Sequence, residues 1–216
     1  GILEKILSGV LQERIRLAGS GRTDAGVHAL AQVANFKTAS TISLKKLHQA
    51  LNGLLPADIA VCSVQQKPLH FHSRFDAKSK LYRYTLLNRA WRSALLRNTV
   101  YFYPYPLDLG LMKKACRVLS GRHDFKSFQA SSKNPRHSVR SIKKLTVRKT
   151  GPFLYIDIEA DGFLHNMVRN IAGTLVEVGS GRCSLEQLRQ ILRLRDRKLA
   201  GPTLPARGLA LIRVKY

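Results

Sequence analysis

Thirty-seven lysines and arginines stand against thirteen aspartates and glutamates in this chain of 216 residues, a formal charge of +24. A compact chain with that excess repels itself, so its fold needs a substantial core and its surface implies a polyanionic partner. With 44% hydrophobic residues, such a core is available. Nucleic acid is the first candidate partner and an anionic membrane surface the second. No run of about 18 apolar residues occurs, so no membrane-spanning helix is expected. Cys62, Cys116 and Cys183 lie far apart without a CxxC pair. They indicate neither a disulfide framework nor a zinc site, and suit a reducing compartment. The chain opens at Gly1 inside a helical pattern, and no signal peptide is read there.

Hydrophobic periodicity predicts a helix over 2–16 and a strand over 31–37. A helix capped by Ser43 carries Leu44, Leu47, Leu51 and Leu54 and stops before Pro56. Strands are expected at 58–65 and 81–87, rich in β-branched and aromatic residues. An Asp-capped helix follows over 108–119, with Gly121 beyond its end. Residues 139–148 and 153–160 read as a hairpin about Thr150-Gly151-Pro152, 163–178 and 184–194 as helices, and 208–215 as a closing strand. Helices alternate with antiparallel-looking strands in two batches, which points to α+β architecture with two halves.

The positive charge is uneven. Residues 122–149 hold nine Lys/Arg against one acid, and 182–198 hold six against two. Together with the overall +24 these runs read as a phosphate-binding surface.

Against this background the stretch AGSGRTDAGVHAL (18–30) places a carboxylate, Asp24, among glycines and two residues after Arg22. It is neither GxGxxG nor GxxxxGK[ST], and Asp24 would repel a phosphate, so a phosphate cradle is disfavoured. A plain Asx-turn is the bland alternative. An arginine held near a carboxylate keeps it ionised, and an ionised carboxylate is a usable nucleophile.

GRTDAGVHA (21–29) resembles the signature loop of the TruA family of tRNA pseudouridine synthases. SGRHDFKSFQ (120–129), KLYRYTLLN (80–88), GFLHNMVRNIAGTLVEVGSGR (162–182) and LPARGLALIRVKY (204–216) are similar to further family stretches, so the resemblance spans nearly the whole chain. It implies two ferredoxin-like halves with mainly antiparallel sheets meeting at a central catalytic cleft. Residues 1–88 would be the N-terminal half carrying the loop, and 89–216 the C-terminal half. It implies isomerisation of uridine to pseudouridine in the anticodon arm of tRNA, at positions 38 to 40, with no cofactor and no metal. Asp24 corresponds to the family's catalytic aspartate. Arg22 matches a residue that reaches the phosphate backbone, Tyr82 the tyrosine that stacks on the target base, Arg169 the helix arginine that pairs with the aspartate, and Leu209 the apolar residue against the uracil. Tyr84 faces the same side as Tyr82, and Leu209 taken alone would read as core. A homodimer in the cytoplasm, with tRNA as its partner, is the family expectation.

The family's opening Tyr-Asp-Gly-x-x-Phe-x-Gly-Trp-Gln strand does not stand ahead of residues 2–16, which puts the first strand of the N-terminal half in doubt. His70 and His72 form an HxH without a third ligand near in sequence, so no metal site is expected. Two other readings of Asp24 remain: a basic RNA-binding protein without catalysis, for which an acid in a basic groove has no use, and a retaining glycosidase, which needs a second carboxylate close by.

Overall fold

The structure is a computed structural model and describes residues 1–130 and 137–216. Lys133 and Arg136 of the first basic run therefore lie outside the described residues. The chain forms two compact units. One comprises residues 1–21 and 33–76, the other residues 22–32 and 77–216.

The first unit packs α1 (Ile2–Leu11) on α2 (Leu44–Leu54), with a two-stranded antiparallel ribbon of β1 (Ala18–Gly19) and β3 (Ala34–Asn35). Leu7, Leu11, Ile15, Leu47 and Leu51 form its core. Ser43 caps α2 as expected, its hydroxyl accepting from the Lys46 N–H. The first helix is shorter than its periodicity suggests. It ends at Leu11, where Gln12 adopts a left-handed φ of 54°. The chain then folds back so that the Ile15 N–H reaches Ser8 Oγ and the Leu17 N–H reaches Glu4 Oε1. Ile15 is buried without being helical, which is why its spacing imitated a further turn.

Two strand expectations in this unit need correction. Only Ala34–Asn35 of 31–37 pairs as strand, and 58–65 forms none. The polar backbone of Val61 is satisfied by α2 side chains instead. Its N–H donates to Asn52 Oδ1 at 2.8 Å, and its carbonyl accepts from Asn52 Nδ2 at 2.9 Å. Apolar alternation without a neighbouring strand to complete a ladder leaves such a segment irregular. His70 and His72 sit in turns rather than a strand, and His72 Nδ1 accepts from the backbone N–H groups of Arg74 and Phe75.

The second unit is built on a seven-stranded sheet. Its path is β2 (His28–Ala29), β9 (Leu209–Lys215), β4 (Ser79–Leu87), β8 (Phe153–Ala160), β7 (Val139–Thr150) and β6 (Gly121–Asp124). The long pairings are antiparallel, while β2 runs parallel to β9. The two-residue β5 (Tyr101–Phe102) runs parallel to β4 beyond the end of β9. The architecture is α+β with antiparallel pairing dominant. The β7–β8 hairpin turns at Gly151 and Pro152, with Gly151 at φ +55°.

Period-two patterning sorts the faces. Tyr82, Tyr84 and Leu86 of β4 and Leu154, Ile156 and Ile158 of β8 are buried beside α3 (Leu109–Leu119) and α4 (Met167–Gly179). Each fully buried aliphatic side chain contributes about 1.5–3 kcal/mol of burial. The opposite face carries Arg83, bidentate on Asp157 at 2.6 and 2.9 Å, and Tyr155 between the guanidinium carbons of Arg83 and Arg148 at 5.1 and 4.2 Å from its ring. The helix α5 (Leu185–Leu194) carries a complete capping box of Ser184 and Gln187.

The α4 helix also begins later than its sequence pattern. Residues 163–166 are not helical, and Asn166, at φ 59°, precedes the first turn. Once begun, α4 is buried nearly all round. The segment 200–205 lies directly against it. A methyl group at Gly173 would stand 1.9 Å from the Pro202 carbonyl oxygen, so no side chain fits there. Thr174 Oγ1 accepts from the Gly201 N–H, and the buried Asn170 amide oxygen accepts from Thr203 Oγ1 and Arg197. Gly173→Ala is expected to push this segment off α4, lowering stability by about 1–3 kcal/mol, read as a fall of several degrees in Tm by thermal unfolding.

Candidate active site

Asp24 lies in the larger unit, in a turn whose shape is legible in the residues. The Asp24 carbonyl accepts from the Val27 N–H at 3.1 Å, and Gly26, third in the turn, has φ +80°. That conformation favours glycine at this place in the turn. A side chain at Gly26 would also meet Ala206 Cβ at 3.4 Å. The turn is closed by backbone, so the Asp24 carboxylate is not spent on an Asx-turn. It is used on α4.

Arg169, from the first turn of α4, places Nη1 3.0 Å from Asp24 Oδ2. The same Nη1 donates to Asn166 Oδ1 at 3.0 Å, and Nε donates to the Leu204 carbonyl at 2.7 Å. The Arg169 side chain is 17% exposed and that of Asp24 33%. A guanidinium so enclosed needs partners for its donors, and these three acceptors take the Nε hydrogen and both Nη1 hydrogens. His165 stands on the other side of the carboxylate, its Nε2 3.6 Å from Asp24 Oδ1, beyond hydrogen-bonding distance. The two carboxylate oxygens are thus distinguished: one fixed by Arg169, the other facing the half-exposed imidazole.

Tyr82 is 8% exposed, and Phe163 meets it edge-on with ring centroids 5.0 Å apart. Burial raises the pKa of its phenol, and the negative charge of Asp24 raises it further. At neutral pH the phenol therefore keeps its proton and is a hydrogen-bond donor rather than a base. Tyr84, two residues on, is fully buried and donates to the Pro205 carbonyl at 2.7 Å. A side chain at Gly208 would reach 2.6 Å from the Tyr84 ring, so this second tyrosine is a packing post for the 205–208 turn. Leu209, also buried, pairs with Tyr84 in the β4–β9 register.

Of the residues singled out from sequence, the structure joins Asp24 with Arg169 and brings Tyr82 close enough to feel the aspartate's charge. Arg22 is different. It is exposed and forms no ion pair with Asp24, so the cation beside the carboxylate comes from 145 residues away, not from two. Sequence reasoning missed Asn166, the Leu204 carbonyl and the approach of His165. The irregular start of α4 carries His165 and Asn166 to these places, and helical periodicity has no signal for it.

The second basic run also looks different in three dimensions. Arg197 turns inward to Asn170, Thr203 and the Ala200 carbonyl, and burial lowers its pKa. Arg182, Arg189 and Arg195 pair with Glu177, Glu186 and Asp124.

Comparison with known proteins decides the family. The family model described as tRNA pseudouridine synthase matches residues 1–76 and 115–216. This chain belongs to the tRNA pseudouridine synthase family. The tRNA pseudouridine synthase A of Thermoanaerobacter sp. (strain X514) is 45% identical over 215 residues, covering 100% of this chain and 88% of that protein. The synthase A of Geobacter sp. (strain M21) is 46% identical over 215 residues, covering 99% and 87%. In Clostridium tetani (strain Massachusetts / E88), tRNA pseudouridine synthase A 2 is 45% identical over 214 residues, covering 99% and 86%. The pseudouridine synthase signature stretches around Asp24 and Arg169 thus come together at one carboxylate–guanidinium contact.

Removing that guanidinium leaves Asp24 and the Leu204 carbonyl without their donor. Arg169→Met is expected to cost about 1–3 kcal/mol of stability, and Arg169→Lys to recover only part of it, because one ammonium cannot serve three divergent acceptors. Urea unfolding of the two variants beside the wild type checks this.

Proposed function

We propose that this protein isomerises uridine to pseudouridine in the anticodon arm of tRNA, with Asp24 as the catalytic carboxylate. The observation that carries the reading is the Arg169–Asp24 contact at 3.0 Å, which fixes a single carboxylate whose charge is felt by the Tyr82 phenol, in a protein of charge +24. For RNA binding itself such a carboxylate is a disadvantage, because it repels phosphate.

The reaction breaks the bond from uracil N1 to ribose C1′, turns the base, and forms a bond from C5 to C1′. One proton leaves C5 and one arrives at N1, so atoms balance without a cofactor. A uridine within a stacked stem is out of reach, so the nucleotide must be everted, at a cost of a few kcal/mol. Tyr82, protonated and held edge-on by Phe163, offers a fixed aromatic surface and a hydrogen-bond donor to the everted base. Leu209 supplies an apolar wall in the same reading. Arg22, exposed and without an ion-pair partner among the described residues, is suited to a backbone phosphate. Arg169 keeps Asp24 oriented toward the ribose.

The finer expectations belong to the same proposal. They are a division into halves at residues 88 and 89, a homodimer that engages one tRNA, and action in the cytoplasm. Free Cys62, Cys116 and Cys183 are compatible with the last, and among the described residues no helix is long and apolar enough to cross a membrane.

Asp24→Asn is nearly isosteric and removes the charge. It is expected to abolish pseudouridine formation, read by mass spectrometry of tRNA after incubation, while tRNA affinity stays within about threefold. Equal loss of both would contradict a catalytic role. Affinity for tRNA is expected to fall at least tenfold between about 50 and 200 mM salt, because several phosphate contacts release counterions. A flat salt dependence in filter binding would contradict a phosphate-contacting surface.

A further inference from the structure

Between Asp76 and Asp108 the chain has no acid, while Lys78, Lys80, Arg83, Arg89, Arg92 and Arg97 fall in that interval. The middle of this interval, residues 88–100, leaves the end of β4 and returns as β5. It is ordered by local bonds. Asn88 donates to the carbonyls of Tyr103 and Tyr105, Ser93 Oγ accepts from the Leu96 N–H, and the Leu96 carbonyl accepts from Thr99 and Val100. It is also tied to the loop that carries Asp24, because His28 Nε2 lies 2.6 Å from the Asn98 carbonyl oxygen.

This segment holds Trp91 out into solvent, 66% exposed. An indole so exposed leaves a large apolar area in water, and here it is not left loose. The Arg89 guanidinium lies over the ring at 5.2 Å, while Arg89 Nε donates to the Trp91 carbonyl at 2.9 Å. One guanidinium thus supports the ring from one side. Arg92 and Arg97 are exposed in the same segment, and no carboxylate within it answers them. A flat aromatic surface, a guanidinium over one of its faces and uncompensated positive charge together match an unpaired base flanked by phosphates. An apolar protein partner would match the indole but not the charge.

We propose that Trp91, backed by Arg89, is a stacking platform for an unpaired base of the RNA substrate, with Arg92 and Arg97 on the adjoining phosphates. The platform is separate from the everted uridine at Asp24 and acts in binding. It rests on the reading that tRNA is the substrate.

Trp91 is the single tryptophan of the chain, so intrinsic tryptophan fluorescence reports on this residue alone. Unmodified tRNA titrated into this 216-residue chain is expected to quench that emission by more than half, saturating at the concentration that filter binding gives as Kd. Trp91→Ala is expected to raise Kd about 5- to 100-fold with an unchanged salt slope, as loss of one stacked base would. Trp91→Phe is expected to recover most of the affinity. Arg92→Gln and Arg97→Gln are expected each to lower the salt slope by about one. Filter binding of tRNA with unaltered tryptophan emission would overturn the platform and leave the functional reading intact, as would Trp91→Ala binding within twofold of wild type. A wild-type protein that does not bind tRNA would overturn both.

Discussion

The site depends on one enclosed guanidinium. Arg169 leaves the first turn of α4 and meets Asp24, Asn166 and the Leu204 carbonyl together. Placing an arginine among apolar side chains is unfavourable unless its donors are matched. Three separate pieces of chain must therefore be held where they can accept from it. The 200–205 segment is held by the absence of a side chain at Gly173 and by the Asn170, Thr174 and Thr203 bonds. The Asp24 turn is held by its own backbone bond and by Gly26. Packing of α4 and orientation of the carboxylate are thus parts of one arrangement.

The same economy of charge runs through the larger unit. Its nine acids all have structural partners. Asp24, Asp124, Asp157, Glu159, Glu177 and Glu186 each pair with a cation. Asp108, Asp161 and Asp196 accept from backbone N–H groups. No acid is left over to neutralise the remaining lysines and arginines, so their relief comes from salt or from a bound polyanion. Screening by salt then competes directly with that partner. Electrostatics that look wasteful in the isolated chain become useful when a phosphate backbone arrives.

Most of the fold was legible where one face of an element is buried and the other wet. Strands β4, β7 and β8 and helices α2, α3 and α5 follow their periodicity and caps closely. Legibility failed where tertiary hydrogen bonds replaced secondary structure. Val61 bonds to Asn52, Ile15 packs after its helix has ended, and residues 163–166 stay irregular ahead of α4. Charge runs were the poorest guide. Arg197 counts as surface charge in the sequence and is a half-buried hydrogen-bonding hub in the fold.

The amino-acid sequence alone determined the α+β class, the basic character, and which aspartate and which helix arginine to watch, because composition, period and motif are local properties of the chain. The family motif also named Arg169 as the partner of Asp24, whereas charge and spacing alone pointed equally to Arg22, two residues away. Only the tertiary structure made the contact across 145 residues, at 3.0 Å, and left Arg22 out of it. The physical reason is direction: a neighbour in an exposed turn can point to water, whereas a guanidinium enclosed on α4 must find its acceptors, and burial makes that requirement strict.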